Sequence, residues 1–541
     1  MHKPRFTSLA TLSILLLVSA AAAQQPSAGA DTRSARANIL FVISDDVGID
    51  VTSDMYPGLI DELVLHYGPG GLNHPRYESI RGRPAVTPVL DRLAREGMVF
   101  TNVWAHPFCS PTRASIITGL YAAKTHVANY QEALSVNHDT FVQQLKDDAG
   151  YSAGIFGKWH MAGLAGAQAN YPGMKPLQAG FDVFRGNMHA ALATFWSWDY
   201  QIQDASTAPG EWRQEQAPTR SLPGIAPTTF APVVNVADTI EWLTAQGQED
   251  PDRPWFVWLA FNLSHATARN APTQMAVPNA DTLNAESLAE MRACNAEFGT
   301  QNTGSCSGEA VMRANTSSLD AILGKLIEYV DATDPNTYVI YIGDNGTPMY
   351  GRPNLDFIDN MYITRSARGK GTVFESGARV PLAIRGPRIE AGSRSGQFAH
   401  AADLYATILE IAGLEVADKV TDSEGSGTVP VDSVSLAPIL FDGRESVRDP
   451  GMGYVLTETH DLMRNGIREV GARNATHKVL CTDGTGAGQC RFYNVADDPL
   501  EEYPLVVPEN CAGYPNGSLT PADDAWHYCR LTEIVATESF L

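Results

Sequence analysis

Asn38-Ile-Leu-Phe-Val-Ile-Ser44 sets five apolar residues in succession, Ile39 to Ile43, and then meets Asp45-Asp46. An unbroken apolar run of this length, without polar alternation, predicts a strand buried on both faces, as in a parallel sheet covered by helices. The pattern recurs along the chain. Thr87-Pro88 predicts a helix through Glu96, with Thr87 as N-cap, Pro88 at the first helical position, Leu90 and Leu93 facing inward and Gly97 as the stop. Further strands are expected over 98–105, 151–156, 255–261 and 337–342, with a helix near 140–148. Leu319, Ile322, Leu323, Leu326, Ile327 and Val330 mark one face of another helix. Strands alternating with helices predict an α/β fold, here a large mixed, mostly parallel sheet between helices.

After residue 445 short alternating runs, turn residues and four of the cysteines take over, which predicts a smaller C-terminal domain of antiparallel sheet. The stretch 417–435, rich in Gly, Ser, Thr and Asp, reads as an exposed loop near that boundary. Residues 162–235 show little periodicity but carry Phe195, Trp196, Trp198, Tyr200 and Trp212. These aromatics either line a substrate mouth or form the private core of a long excursion.

With 541 residues and 44% hydrophobic content the chain can build a sizeable core, and its length suits about two to four domains. A formal charge of −22 argues against a nucleic-acid partner, because such surfaces need clustered Lys and Arg to displace counterions from phosphates. An anionic substrate would have to be met by a local basic pocket. Residues 1–23 read as an export signal: His2, Lys3 and Arg5 precede an apolar run that ends in Ala21-Ala22-Ala23. The polar stretch that follows predicts cleavage there, a flexible segment over 24–37, and an exported protein, periplasmic or extracellular, with no membrane span once the signal is removed. Six of the seven cysteines fall into sequence-local pairs, Cys294 with Cys306, Cys481 with Cys490 and Cys511 with Cys529, which suits an oxidising compartment. Six cysteines permit about 15 connectivities, and neighbour pairing is one of them. Cys109 is left over, and none of the spacings is that of a zinc site.

Two acidic pairs, Asp45-Asp46 and Asp344-Asn345, each stand directly after a predicted buried strand. The carboxyl ends of strands in an open parallel sheet converge on one edge, so the pairs can meet there. Three carboxylates and one amide, with no sulfur or imidazole, form a hard-oxygen set suited to Ca²⁺ or Mg²⁺. Taken singly, Asp-Asp reads first as a helix cap and Asp-Asn-Gly first as a turn. Cys109-Ser110-Pro111-Thr112-Arg113 opens a short predicted helix, whose N-terminal N–H groups favour an anion, and Arg113 adds a full positive charge.

Cys109-Ser110-Pro111-Thr112-Arg113 through Thr118-Gly119 resembles the signature of the type I sulfatases, in the alkaline phosphatase-like superfamily. Gly157-Lys158-Trp159-His160 is similar to that family's second signature, and the segments at Asn38–Asp46, Asp344-Asn345-Gly346, Lys370–Pro381 and Arg491–Pro499 resemble it in the same order. The resemblance implies a catalytic domain over 38–445 and a small C-terminal α+β domain over 446–541. It implies that a formylglycine-generating enzyme converts Cys109 to an aldehyde whose hydrate attacks sulfur, the alcohol leaving and sulfate then being expelled. By the same resemblance Asp45, Asp46, Asp344 and Asn345, with modified Cys109, hold the cation, Ca²⁺ or alternatively Mg²⁺. Arg113, Lys158 and Lys370 meet the charge of the sulfate ester substrate, His160 is the base, and His265 contacts the sulfate and the leaving oxygen.

The family pattern is not complete. A Pro usually follows two residues after the His that His265 resembles, whereas here Ala266-Thr267 follow and the next proline is Pro272. His106, near Cys109, is the reserve candidate. Ile117 stands where Leu is usual, and residues 50–85 form a long excursion after the Asp pair. Three functions are compatible with these residues: an exported sulfuric-ester hydrolase, a phosphonate or phosphate ester hydrolase on the same scaffold, and a secreted metal-binding protein whose Cys109 remains a thiol.

Overall fold

The computed structural model describes residues 36–163, 172–267, 275–348, 361–363, 368–486, 488–515 and 517–541. The expected signal peptide, most of the 24–37 segment and Pro272 lie outside them. Among the described residues ten strands form the main sheet, and Asn38–Ser44 sits in its interior between Thr337–Gly343 and Trp255–Ala260, parallel to both. Trp255–Ala260 pairs in parallel with Ser152–Lys158, which pairs in parallel with Val183–Asn187. Beyond Thr337–Gly343, Leu382–Arg385 runs antiparallel to both its neighbours, making the sheet mixed. The central strand shows why its sequence does not alternate. Ile39, Phe41 and Ile43 enter one hydrophobic cluster, while Leu40 and Val42 enter the other on the opposite face.

The expected helices form, at Pro88–Glu96, Phe141–Asp147 and Gly308–Thr333. Thr140 and Gln143 close the second with a capping box, satisfying N–H groups that a helix start leaves open. Thr87 occupies the cap position of the first but makes no side-chain cap bond. Its place is taken from a distance: Asp320, on Gly308–Thr333, accepts from the N–H groups of Val89 (3.1 Å) and Leu90 (2.8 Å).

The excursion over 162–235 contributes Val183–Asn187, Asp199–Gln203 and Arg213–Gln216 to one end of the main sheet. Its aromatics are core: Phe195, Trp198 and Tyr200 are buried, and Trp196 stacks on Phe230 with centroids 5.1 Å apart. In the stretch read as a loop over 417–435, Lys419–Thr421 and Thr428–Pro430 pair as a small hairpin, too short to register against its turn residues. The excursion after the Asp pair folds onto the molecule through helix Leu59–Tyr67, whose Tyr67 hydroxyl donates to Asp498 at 2.6 Å.

Four antiparallel strands, Val455–Asp461, Ile467–Arg473, His477–Thr482 and Cys490–Asn494, form the smaller C-terminal sheet, with helix Asp524–Glu538 packed beside it. Disulfides join Cys294 to Cys306, Cys481 to Cys490 and Cys511 to Cys529, the sequence-local pairing, and Cys109 is free and buried. Among the described residues no helix is long and apolar enough to cross a membrane.

Glu458, on Val455–Asp461, is fully buried and accepts from the N–H groups of Ala123 (3.1 Å) and Phe540 (3.4 Å). Burial nevertheless pushes its carboxyl up from 4.5 to about 8. The native chain therefore keeps this proton over a pH range in which the unfolded chain releases it, so stability falls as pH rises through that window. Glu458→Gln is neutral throughout. Its melting temperature, followed by calorimetry between about pH 5 and about pH 8, should fall less than that of the wild type.

Candidate active site

Ser44 pairs with Gly343 in register, so the residues that follow each strand, Asp45-Asp46 and Asp344-Asn345, emerge side by side at the carboxyl edge. Lys158 ends the strand Ser152–Lys158, and His265 follows Trp255–Ala260 on the same edge. Cys109 is the first residue of helix Cys109–Thr118, all of whose residues are buried. The chain turns through positive φ at Asp46 (63°) and His160 (54°), a conformation costly for residues other than Gly and concentrated in proteins at functional sites.

Three ion pairs knit these ends together. Lys158 Nζ lies 2.6 Å from Asp45 Oδ2, with both side chains fully buried. Arg113 donates to Asp344 Oδ2 through Nη2 (2.9 Å) and Nε (3.3 Å), and to the Lys158 carbonyl (2.7 Å). Lys370 Nζ pairs with Asp46 Oδ1 and donates to Cys109 Sγ at 3.4 Å. The Cys109 thiol in turn donates to Asp45 Oδ1 at 3.4 Å. The sulfur is thus held between an acid of one pair and a base of another.

Ligand atoms of Asp45, Asp46, Cys109 and His265 all lie within 4.8 Å of one another. Asn345 donates its amide N–H to Asp46 Oδ1 at 2.9 Å, while its buried Oδ1 has no partner among the described residues. Asp344 adds a third carboxylate, tied to Arg113 and, through Oδ1, to the Asp46 N–H (3.1 Å). Burial pushes the Asp45 carboxyl up to about 7 against the pull of Lys158, and the charges of Asp344 and Asp46 push the same way. Burial also opposes ionisation of Asp46, but Lys370, His265 and the Asn345 amide outweigh it and hold that carboxyl well below the usual range. Crowded carboxylates beside an orphaned amide oxygen fit a hard divalent cation, which would relieve their repulsion.

The two histidines are neutral. Burial, then repulsion from Lys158 and Arg113, holds His160 well below its ordinary value. Its Nε2 lies 2.9 Å from the Tyr130 carbonyl, which can only accept, so Nε2 carries the proton and the buried Nδ1, without a partner among the described residues, is the free base. Ser110 Oγ fixes the same residue by donating to the His160 carbonyl at 2.7 Å. His265, lowered to about 3 chiefly by burial, donates from Nδ1 to the Ala266 carbonyl and turns Nε2 to Asp46 Oδ2 at 3.8 Å. The reserve candidate His106 is occupied elsewhere: Nε2 meets Ser115 Oγ at 3.0 Å, and Nδ1 accepts from the Glu458 N–H at 3.0 Å.

Residues 37–414 match the family model described as Sulfatase. The chain belongs to the sulfatase family. It is 26% identical over 458 residues to the N-acetylgalactosamine-6-sulfatase of Canis lupus familiaris, covering 79% of this chain and 78% of that one. It is also 24% identical over 411 residues to arylsulfatase J of Mus musculus, covering 71% and 60%. The crystal structure of Ps i-CgsB shares the fold at a TM-score of 0.60 and 19% identity, over 87% of this chain and 89% of that one. This sulfatase is accordingly a sulfuric ester hydrolase.

Of the residues singled out for the site, Asp45, Asp46, Cys109, Arg113, Lys158, His160, His265, Asp344, Asn345 and Lys370 lie together at the carboxyl edge of the sheet, and His106 is engaged away from them. Sequence reading missed the Tyr130 carbonyl, which selects the His160 tautomer, because a backbone acceptor leaves no trace in residue identity. It also missed the buried pair in which Asn262, after Trp255–Ala260, donates to Asn187 Oδ1 at 2.9 Å at the end of Val183–Asn187, two strands away across Ser152–Lys158. Burial, with Asp344 and Asp45, pushes the Cys109 thiol up to about 12. In protein made without maturation, Cys109 should therefore resist alkylation at about pH 8 and react only on unfolding, as read by peptide mass.

Proposed function

We propose that this sulfatase hydrolyses sulfate monoesters to an alcohol or phenol and inorganic sulfate, with Cys109 converted to formylglycine and a divalent cation, Ca²⁺ or alternatively Mg²⁺. The observation that carries this is the position of Cys109 Sγ, in contact with both Asp45 and Lys370 at the acidic cluster. Asp45, Asp46, Asp344 and Asn345 would hold the cation with residue 109. The hydrated aldehyde would supply the hydroxyl nucleophile that a protonated thiol lacks, and the cation would lower that hydroxyl's pKa and neutralise ester charge.

The chain's own groups do the rest. Arg113, Lys158 and Lys370 are fixed cations that meet the sulfate oxygens, with Lys370 also at the bridging oxygen, and being preorganised they need no rearrangement as charge spreads. His160 Nδ1 takes the proton of residue 109. His265 Nε2 gives a proton to the leaving oxygen, since an anionic ester beside it raises its proton affinity. The maturation partner is a formylglycine-generating enzyme. Residues 38–445 form the catalytic domain and 446–541 the small C-terminal one. The three disulfides support export to the periplasm or the extracellular space. Relatives named for an amino sugar sulfate and for aryl sulfates leave both leaving-group classes within the substrate range.

Cys109→Ala should abolish turnover with the circular dichroism spectrum preserved, and the peptide containing Cys109 in active enzyme should have the mass of an aldehyde. Comparable rates in variant and wild type would sink the nucleophile assignment, and faster cleavage of a phosphate than a sulfate ester of the same leaving group would reassign the reaction. Asp46→Ala should lower bound metal and turnover together, by more than the roughly 10–100-fold typical of an outer partner; full activity with no metal detected by elemental analysis would refute the ligand set.

A further inference from the structure

Lys370 stands in a segment without regular structure, between residue 368 and helix Glu375–Ala378, yet its ammonium must be fixed between Asp46 and Cys109. The segment is pinned by its backbone. The Lys370 N–H donates to the Thr347 carbonyl at 3.0 Å, and the Gly371 N–H to the Pro107 carbonyl at 2.9 Å, two residues before Cys109. The Gly371 carbonyl accepts from Arg464 Nη2 at 2.6 Å. Arg464 comes from the turn Leu462–Arg464 of the C-terminal sheet, almost a hundred positions away in sequence.

Arg464 is itself locked. Its Nε bonds Asp461 Oδ2 at 2.5 Å, and its Nη2 and Nη1 reach Glu469 Oε2 at 2.7 Å and Oε1 at 3.3 Å. The two carboxylates, on adjacent strands, fix the planar guanidinium so that one N–H is aimed at Gly371. Lysine has no such fork. Gly371 adopts φ of +89°, and a Cβ there would lie 3.1 Å from the Phe108 ring and 3.2 Å from Asp461, so the backbone is held close on both sides.

We propose that Arg464, oriented by Asp461 and Glu469, is a positioning residue through which the C-terminal sheet sets the place of Lys370 against Cys109. Arg464 has no bond to Asp46, Cys109 or their partners among those described, and its action passes through the Gly371 peptide. The proposal rests on the role given to Lys370 above, and a double-mutant cycle separates the two. The cycle compares kcat/KM for 4-nitrophenyl sulfate in wild type, Arg464→Met, Lys370→Ala and the double variant, with melting temperatures measured in parallel. A misplacement of about 1 Å can cost about a hundredfold in rate. Arg464→Met should thus lose about ten- to a hundredfold in the wild-type background and less than about threefold once Lys370 is gone. Equal losses in both backgrounds, or none in the first, would overturn the proposal and leave Lys370's own role standing. An unimpaired Lys370→Ala would instead refute the role of Lys370. Arg464→Lys should fail to rescue, whereas full rescue would mean that charge alone suffices and would also overturn it. If Arg464→Met does not fold, Glu469→Gln, which loosens the fork and keeps the arginine, takes its place in the cycle with the same coupling expected.

Discussion

Three buried ion pairs at the carboxyl edge of the main sheet, Asp45 with Lys158, Asp344 with Arg113 and Asp46 with Lys370, constrain everything around them. A charge moved from water to a protein interior loses several kcal/mol of solvation, and only close pairing with further hydrogen bonds returns it. Asp45, Asp46, Asp344 and Lys158 come from strand ends, Arg113 from the Cys109 helix and Lys370 from the irregular segment before helix Glu375–Ala378, so the pairs form only when the strands keep their register. A slip of one residue would turn Asp45 or Lys158 to the opposite face and leave a bare charge in the core. The chemistry of the site and the pairing of the strands are therefore one constraint.

The balance of these charges explains how a chain of formal charge −22 meets an anionic ester. Three cations and three carboxylates offset one another in the buried site, and screening by solvent is weak there, so local pairing matters more than the total. Before an anionic ester arrives the histidines are neutral because burial and the neighbouring cations oppose their protonation. The positive charge nearest residue 109 thus comes from Arg113, Lys158 and Lys370 rather than from imidazolium, and imidazole is left free for proton transfer.

The central strand, the helices around it and the cysteine pairs were legible because each is a local pattern: an unbroken apolar run, a helical stripe, neighbouring thiols in an oxidised setting. What the sequence hid was tertiary. Thr87 carries the residue type of a cap, yet Asp320 does the capping from a helix more than two hundred positions on. Asp199–Gln203 and Arg213–Gln216 join the sheet although Gly and Pro obscure their periodicity, and Phe195, Trp198 and Tyr200 turn inward to cover helix Ala231–Glu249. His106 has the residue type of a catalytic group close to Cys109 and spends both nitrogens on Ser115 and Glu458. Residue type predicted the donors of the site well. It could not say which donors were already engaged.

The C-terminal sheet bears on the site for a related reason. The segment that carries Lys370 crosses from the main sheet's edge without secondary structure of its own, so its order has to come from neighbours on both sides. One side is the loop before Cys109. The other is the appended sheet, where Lys478 pairs with Glu501 at 2.5 Å and Glu375 at 3.3 Å, and Glu501 accepts from the Glu375 N–H at 2.8 Å. Trp104, on a main-sheet strand, donates to the same Glu375 at 2.9 Å and lies beneath the Lys478 ammonium at 4.4 Å. Removing the Lys478 ammonium would take from the buried Glu501 carboxylate its ion-pair partner, so the two sheets are held in a fixed relation by groups that touch neither Cys109 nor the acidic cluster. A short irregular loop can carry a rigid ammonium only between two bodies that do not move apart, and this buried junction is what keeps them together.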